Sequence, residues 1–163
     1  MTALALSNGR QPFARTVNTG SSPSSKKIEN NFRDNIADFR NSPRRERAFS
    51  ELAFAVEIGK EDNWDQYGAA KVDQGTHELA LRFLSVLPFA VPVPEVGLDP
   101  DGEISFEWFV SKNRQFSVSL SSQGRLSYAG VFGIDTTAYG TEQFDETIPQ
   151  AILASIYRLG ISQ

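Results

Sequence analysis

DGEISFEWFVSKNRQFSVSLSSQGRLSYAGVFG, from Asp101 to Gly133, is the stretch whose reading decides the fold. Asp101-Gly102 is a turn pair, and after it Ile104, Phe106, Trp108 and Val110 alternate with Glu103, Ser105, Glu107 and Phe109. Successive side chains of a strand point to opposite faces, so this alternation describes a half-buried strand. Phe116, Val118 and Leu120 then alternate with Ser117, Ser119 and Ser121. SSQG (121–124) turns the chain, and RLSYAGVFG (125–133) continues it as strand. The reading is an antiparallel meander with one apolar face, which another layer must cover. Trp108 falls on that face. Glu103 and Glu107, four apart on a strand, share the opposite, solvated one.

The cover comes from helical periodicity on either side. Ser42-Pro43 offers a favoured N-cap and a proline at the first helical position. Phe49, Leu52, Ala53 and Val56 follow at one-face spacing, and Gly59 supplies a stop. Asp73 is the expected N-cap of the next helix, in which Ala80, Leu81, Leu84 and Leu87 form the stripe with Phe83 beside it, and Pro88 ends it. PFAVPVPEV (88–96) carries three prolines, which suit an extended connector rather than a central strand. Near the C-terminus Thr147 and Gln150 have capping-box spacing, and Ile148, Ile152, Ile156 and Leu159 share a face. Upstream, Ile28, Phe32, Ile36 and Phe39 predict a short amphipathic helix ending near Asn41, while residues 1–25 are polar and aperiodic. The expected fold class is α+β, a β-meander with N-terminal and C-terminal helices packed on one face, preceded by a disordered tail over 1–25. Residues 26–163 form a single domain, with a basic helical part (26–60) and an acidic body (61–163).

Composition bounds the function. A chain of 163 residues with 40% hydrophobic content can build one substantial core. No apolar run approaches the roughly 20 residues that span a bilayer, and the opening MTALALSNGRQ lacks a basic flank and a small-residue cleavage signal, so the expectation is a soluble, cytoplasmic protein with no membrane association. The absence of cysteine excludes disulfides, thiolate nucleophiles and Cys-ligated metals. The net charge of −4 is unevenly spread: residues 1–60 hold 10 Lys and Arg against 6 Asp and Glu, and residues 61–163 hold 6 against 14. A basic arm on an acidic body fits a segment that meets a partner, or the body itself. Arg44, Arg45 and Arg47 crowd the first turn of a helix, where the dipole disfavours cations; the plain reading is a solvated basic turn, and the other is that acidic groups on the body or on a partner hold them.

Catalytic patterns are few. His77 is the single histidine, sits in the first turns of a helix beside Glu78, and has no G-x-S-x-G nucleophile to serve. There is no G-x-x-x-x-G-K-[ST], and Gly130 and Gly133 suit a bulge or a close backbone approach better than a dinucleotide loop. No cofactor is expected. The chemical resource left is the acidic stretch Glu61, Asp62 and Asp65, which offers hard oxygen ligands to a divalent ion and supports an alternative reading as a small metal-dependent hydrolase or nuclease. The surrounding EDNWDQYGAAKV (61–72) also holds Trp64 and Tyr67. Burying both rings would fix the angle between the flanking helices and place Gly68 at the turn; exposing them would make an interface.

Asn63-Trp64-Asp65, Tyr67-Gly68-Ala69, Leu87-Pro88, Pro94-Glu95-Val96, Asp101-Gly102, Phe106-Glu107-Trp108, Gly124-Arg125-Leu126-Ser127-Tyr128-Ala129-Gly130 and Tyr139-Gly140-Thr141-Glu142 occur in that order. Over 61–159 the chain thereby resembles a family of small bacterial proteins marked by an Asn-Trp-Asp-x-Tyr-Gly-Ala segment. Gln66 stands where that family usually has Gly, and its Pro after Gly-Ala is absent. The resemblance implies no established activity. It implies a neighbouring gene for another small protein, as in paired systems of the toxin–antitoxin type.

The two strands of reasoning meet in a non-catalytic, macromolecule-binding protein, antitoxin-like or inhibitor-like. Its candidate binding residues are Arg44, Arg45, Arg47, Trp64, Asp65 and Tyr67, and its partner is another protein. Nucleic acid is the second candidate, through Lys26, Lys27, Arg33, Arg40 and the three arginines.

Overall fold

The computed structural model describes residues 43–161, which lie in one compact unit. The tail expected over 1–25 and the helix expected over 26–41 lie outside the described residues. Helix α1 spans Pro43–Ile58, α2 Gln74–Val86 and α3 Gln150–Arg158. Strands β1 (Glu95–Leu98), β2 (Ile104–Ser111), β3 (Arg114–Leu120), β4 (Arg125–Phe132) and β5 (Thr137–Gln143) form one antiparallel sheet in sequence order. The architecture is the expected α+β meander. Helix α1 lies on β1 and α2, α2 crosses β2 and β3, and α3 rests on β4, so the helices share one face.

The alternation read in the sequence sets that face. Ile104, Phe106 and Trp108 pair with Leu120, Val118 and Phe116, and Leu126 continues the row from Leu120; all seven are buried. Ser105, Glu107, Ser117, Ser119, Ser127 and Ala129 occupy the other side. Helix α2 is held down by aromatics: Phe83 stacks on Phe106 at 4.4 Å between centroids and meets Phe144 edge-on at 5.4 Å. Offset and edge contacts of this kind add about 0.5–1.5 kcal/mol to the burial of the rings. Phe83 is therefore central to the α2 stripe, whereas Leu81 is turned outward. In α1 the buried series is Arg45, Ala48, Leu52 and Ala55, and Ala53 is exposed. The stripe is rotated because its first member is a charged residue, a choice that hydrophobic periodicity cannot reveal.

Several local expectations change. Gly59 ends α1 through close approach rather than a left-handed turn, since a Cβ there would lie 2.6 Å from Val72 and 2.8 Å from Leu98. Gly130 does what its position in a strand suggested: a Cβ would lie 2.7 Å from the Phe116 ring, which crosses it. Helix α3 begins at Gln150 after Pro149, with no side-chain cap, so Thr147 and Gln150 form no capping box. The residue before a proline is pushed away from helical backbone, which disfavours a helix opening at Ile148, and Pro149 is itself extended at ψ 143°. Asp73 does precede α2, but its carboxylate makes no cap bond. Val110 is exposed because the β2–β3 register slips between Phe109 and Ser111. Glu103 shares the face of Glu107 yet is buried, with Arg125 Nη2 donating to its Oε1 at 2.8 Å. Strand β5 has no counterpart among the expected elements. Its inward positions, Ala138, Gly140 and Glu142, carry no apolar signal because the Tyr128 side chain covers Gly140, where a Cβ would lie 2.7 Å from Tyr128 Oη.

Trp108 is 2% exposed, packs on Phe116 and donates its Nε1–H to the Pro92 carbonyl at 2.7 Å. Trp108→Ala is expected to cost about 3–5 kcal/mol in denaturant unfolding. In a Trp64→Phe background, Trp108 emission should be blue and shielded from quenchers; red, quencher-accessible emission would invert the faces of the sheet.

Candidate functional site

The three arginines of the first turn of α1 diverge. Arg45 is 5% exposed and reaches the end of α2, donating to the carbonyls of Leu84 (3.3 Å), Leu87 (2.9 Å) and Pro88 (3.4 Å). The last carbonyls of a helix lack intrahelical donors and carry its negative dipole end, and α2 has no basic residue in its own last turn. Arg45 supplies that cation from 39 to 43 residues away. Burial pushes its pKa down, but a guanidinium stays protonated in a protein. Arg45, expected in the sequence as a binding residue, is thus buried and engaged in holding α1 to the end of α2.

Arg44 and Arg47 remain at the surface. Arg47 Nε lies 2.6 Å from Glu51 Oε1, and its Nη2 lies 3.9 Å from Glu95 on β1. The hydrogen bond and charge of Glu51 raise the Arg47 pKa further. Glu51 spends its second oxygen on the Val96 N–H at 3.0 Å, tying α1 to the sheet. Arg44 pairs with no acid among the described residues. Both arginines border a groove of about 240 Å³ whose other walls include Glu95, Glu107, Trp108 and Phe109. Glu95 and Glu107 stand directly opposite each other across β1 and β2. Two like charges facing across strands disfavour the pairing, and Arg47 beside Glu95 offsets part of that repulsion. Phe109 beside them is 59% exposed. The groove therefore presents two cations, two carboxylates and a phenyl ring, a set suited to recognising a surface of mixed charge. Glu107 also borders a second depression, of about 330 Å³, which ends at the exposed Tyr139.

The loop 61–70 is built differently. Asp65 Oδ1 accepts from the N–H groups of Tyr67 (2.8 Å) and Ala69 (3.0 Å), Asn63 Oδ1 from Gly68 (2.8 Å), and Asp62 Oδ1 from Lys71 (3.0 Å). Side chains of this type commonly satisfy nearby backbone donors where no ladder does. The bonds from Tyr67 and Ala69 hold the Asp65 pKa below the ordinary carboxylate value, so the ionised form is the one this loop prefers. Trp64 is half-buried and donates Nε1–H to Ala70 at 3.0 Å, whereas Tyr67 is 94% exposed. Only one of the two aromatics therefore pins the helix junction. Among the described residues no group of three or more His, Asp or Glu is arranged to hold a metal ion. Asp62 and Asp65 serve the backbone, and Glu61 is exposed beside them.

The six residues singled out in the sequence form no single site. Arg44 and Arg47 stand at the start of α1, and Trp64, Asp65 and Tyr67 follow its end; the eleven steps from Arg47 to Ile58 alone span about 16 Å at about 1.5 Å each. Glu95 and Phe109 complete the groove and were missed, because their proximity depends on strand register. Comparison with known proteins returns no matching family model, no matching curated protein and no matching solved structure.

Asn63 and Gln66 both adopt φ of 66°. A left-handed conformation costs a non-glycine residue roughly 1–2 kcal/mol, though Asn tolerates it better. Gln66→Gly should thus stabilise the protein by about 0.5–1 kcal/mol, the gain being reduced by the greater freedom of glycine in the unfolded chain. A lowered unfolding midpoint for Gln66→Gly would show that the glutamine side chain makes a stabilising contact.

Proposed function

We propose that this chain is a soluble, cytoplasmic, non-catalytic binding protein that captures another protein through the groove at the start of α1. The observation that carries this reading is the facing pair Glu95 and Glu107, set beside Arg44, Arg47 and the exposed Phe109. Groups of both signs around an aromatic anchor favour a protein partner, whose side chains can answer each charge. They disfavour nucleic acid, because two carboxylates next to the arginines repel phosphates. Among the described residues no helix is long and apolar enough to cross a membrane, which agrees with a soluble protein. The resemblance to the family with the Asn-Trp-Asp-x-Tyr-Gly-Ala segment supplies the candidate: the product of an adjacent gene, held in an antitoxin-like or inhibitor-like complex.

The test is capture of that gene product by the purified full chain, measured across salt concentrations. Arg44→Glu with Arg47→Glu should weaken binding at least about tenfold, or about 1.4 kcal/mol, and flatten the salt dependence. Phe109→Ala should weaken it by a similar factor or more. The circular dichroism of each variant should match the parent. Capture that survives all three substitutions unchanged would remove the groove from the account.

A further inference from the structure

The two edges of the sheet are treated differently. On β1, four residues long and preceded by Pro92 and Pro94, the outward N–H of Val96 is occupied by Glu51. On β5 the bonds Phe132 N–H to Thr136 O and Phe144 N–H to Gly124 O, both 2.8 Å, set the phase of the ladder. Ala138, Gly140 and Glu142 therefore face β4, while Thr137, Tyr139, Thr141 and Gln143 turn their N–H and C=O groups outward. Among the described residues no hydrogen bond reaches those outward groups. Strand β5 is seven residues long, contains no proline, and has Glu142 as its one charge. Apart from Glu142, whose charge points to the inner face, it lacks the devices that protein edges use against pairing.

We propose that β5 is a self-pairing edge, at which two copies of this chain join antiparallel about a two-fold axis through Gly140. The sheet then runs unbroken through five strands of each copy. Residues 137–143 are centred on Gly140, so this register alone pairs all seven with seven. It sets Tyr139 against Thr141 of the second copy and Thr137 against Gln143, which are the outward-bonding residues that such a ladder requires. Glu142 faces Ala138, whereas a register centred on Glu142 would oppose like charges. At the axis Gly140 meets Gly140, leaving room for the Tyr128 ring that each copy already lays over that glycine. Tyr139, 83% exposed, gains cover beside the seam. A seam of this size belongs with small interfaces of less than about 1,200 Å², so the affinity is expected to be on the order of micromolar.

Sedimentation of the full chain from about 1 to about 200 µM reads this directly, bracketing a dissociation constant on the order of micromolar. The dimer fraction should rise across that range. Thr141→Pro removes an outward N–H and leaves the β4 ladder intact, and Tyr139→Lys places a charge on each side of the axis. Both should be monomeric at the highest concentration with unchanged circular dichroism, and the Lys variant decides the matter where the Pro variant fails to fold. Amide exchange at Tyr139 and Thr141 should slow only as the dimer forms. A wild-type monomer throughout, or a Tyr139→Lys dimer as strong as the wild type, would overturn the proposal. So would protection of those amides in the monomer, which would mean that the edge is covered from within the chain.

Discussion

A guanidinium buried against the end of a helix organises this protein. Arg45 occupies the first inward position of α1 and donates to three carbonyls at the close of α2. That contact fixes α1 against α2, and α2 is itself fixed to the sheet by Phe83 on Phe106. A second helix end is met in the same way: the Arg114 guanidinium of β3 donates to Leu159 after α3. Both are long-range answers to a local problem, the unpaired carbonyls that every helix leaves at its C-terminus. Because Arg45 turns inward, Arg44 and Arg47 are left on the outer side of α1, where Glu51 and Glu95 orient the latter. One basic turn thus divides into a structural part and a part available for recognition.

The loop after α1 obeys the same economy of polar groups. Asn63, Asp62 and Asp65 supply four bonds to backbone donors, and the peptide of Ala70 donates to Pro100 of the β1–β2 hairpin at 2.8 Å. In turn Gly102 must lack a side chain, since a Cβ would come within 2.4 Å of the Lys71 carbonyl. Loop and hairpin therefore form one unit, which places β1 beside β2 and brings Glu95 opposite Glu107 at its far end. The groove proposed for recognition depends on a turn located at the other end of its strands.

Much of this fold was legible in residues alone. The alternation from Ile104 to Leu126 gives the core face, and Ser42-Pro43 and Pro88 mark helix limits that the structure observes to within a residue or two. Strand β5 was not legible, because its inner face holds Ala138, Gly140 and Glu142 and its partner Tyr128 supplies the bulk. Arg45 was misread for a related reason: a buried cation looks like a surface cation until the carbonyls it serves are known. The Glu95–Glu107 pair turned on loop length. A two-residue Asp-Gly turn would pair Pro100 with Glu103, but Gly102 at φ of 80° closes a three-residue loop in which Asp99 N–H donates to Glu103 O, and every partner shifts by one. Asp62 and Asp65 looked like ligands because free carboxylates and carboxylates committed to backbone donors are the same letters in a sequence.

The division of labour within the basic turn is most directly measured by urea unfolding of three single variants, Arg44→Met, Arg45→Met and Arg47→Met. Methionine keeps much of the side-chain bulk and removes the donors, so the comparison isolates the hydrogen bonds. Arg45→Met should lose about 2–4 kcal/mol, since it strands several buried carbonyls that a charged donor now satisfies. Arg44→Met and Arg47→Met should stay within about 0.5 kcal/mol of the parent, as exposed positions do. An Arg45→Met protein as stable as the parent would contradict the account, for the cation would then be dispensable to the packing of α1 on α2.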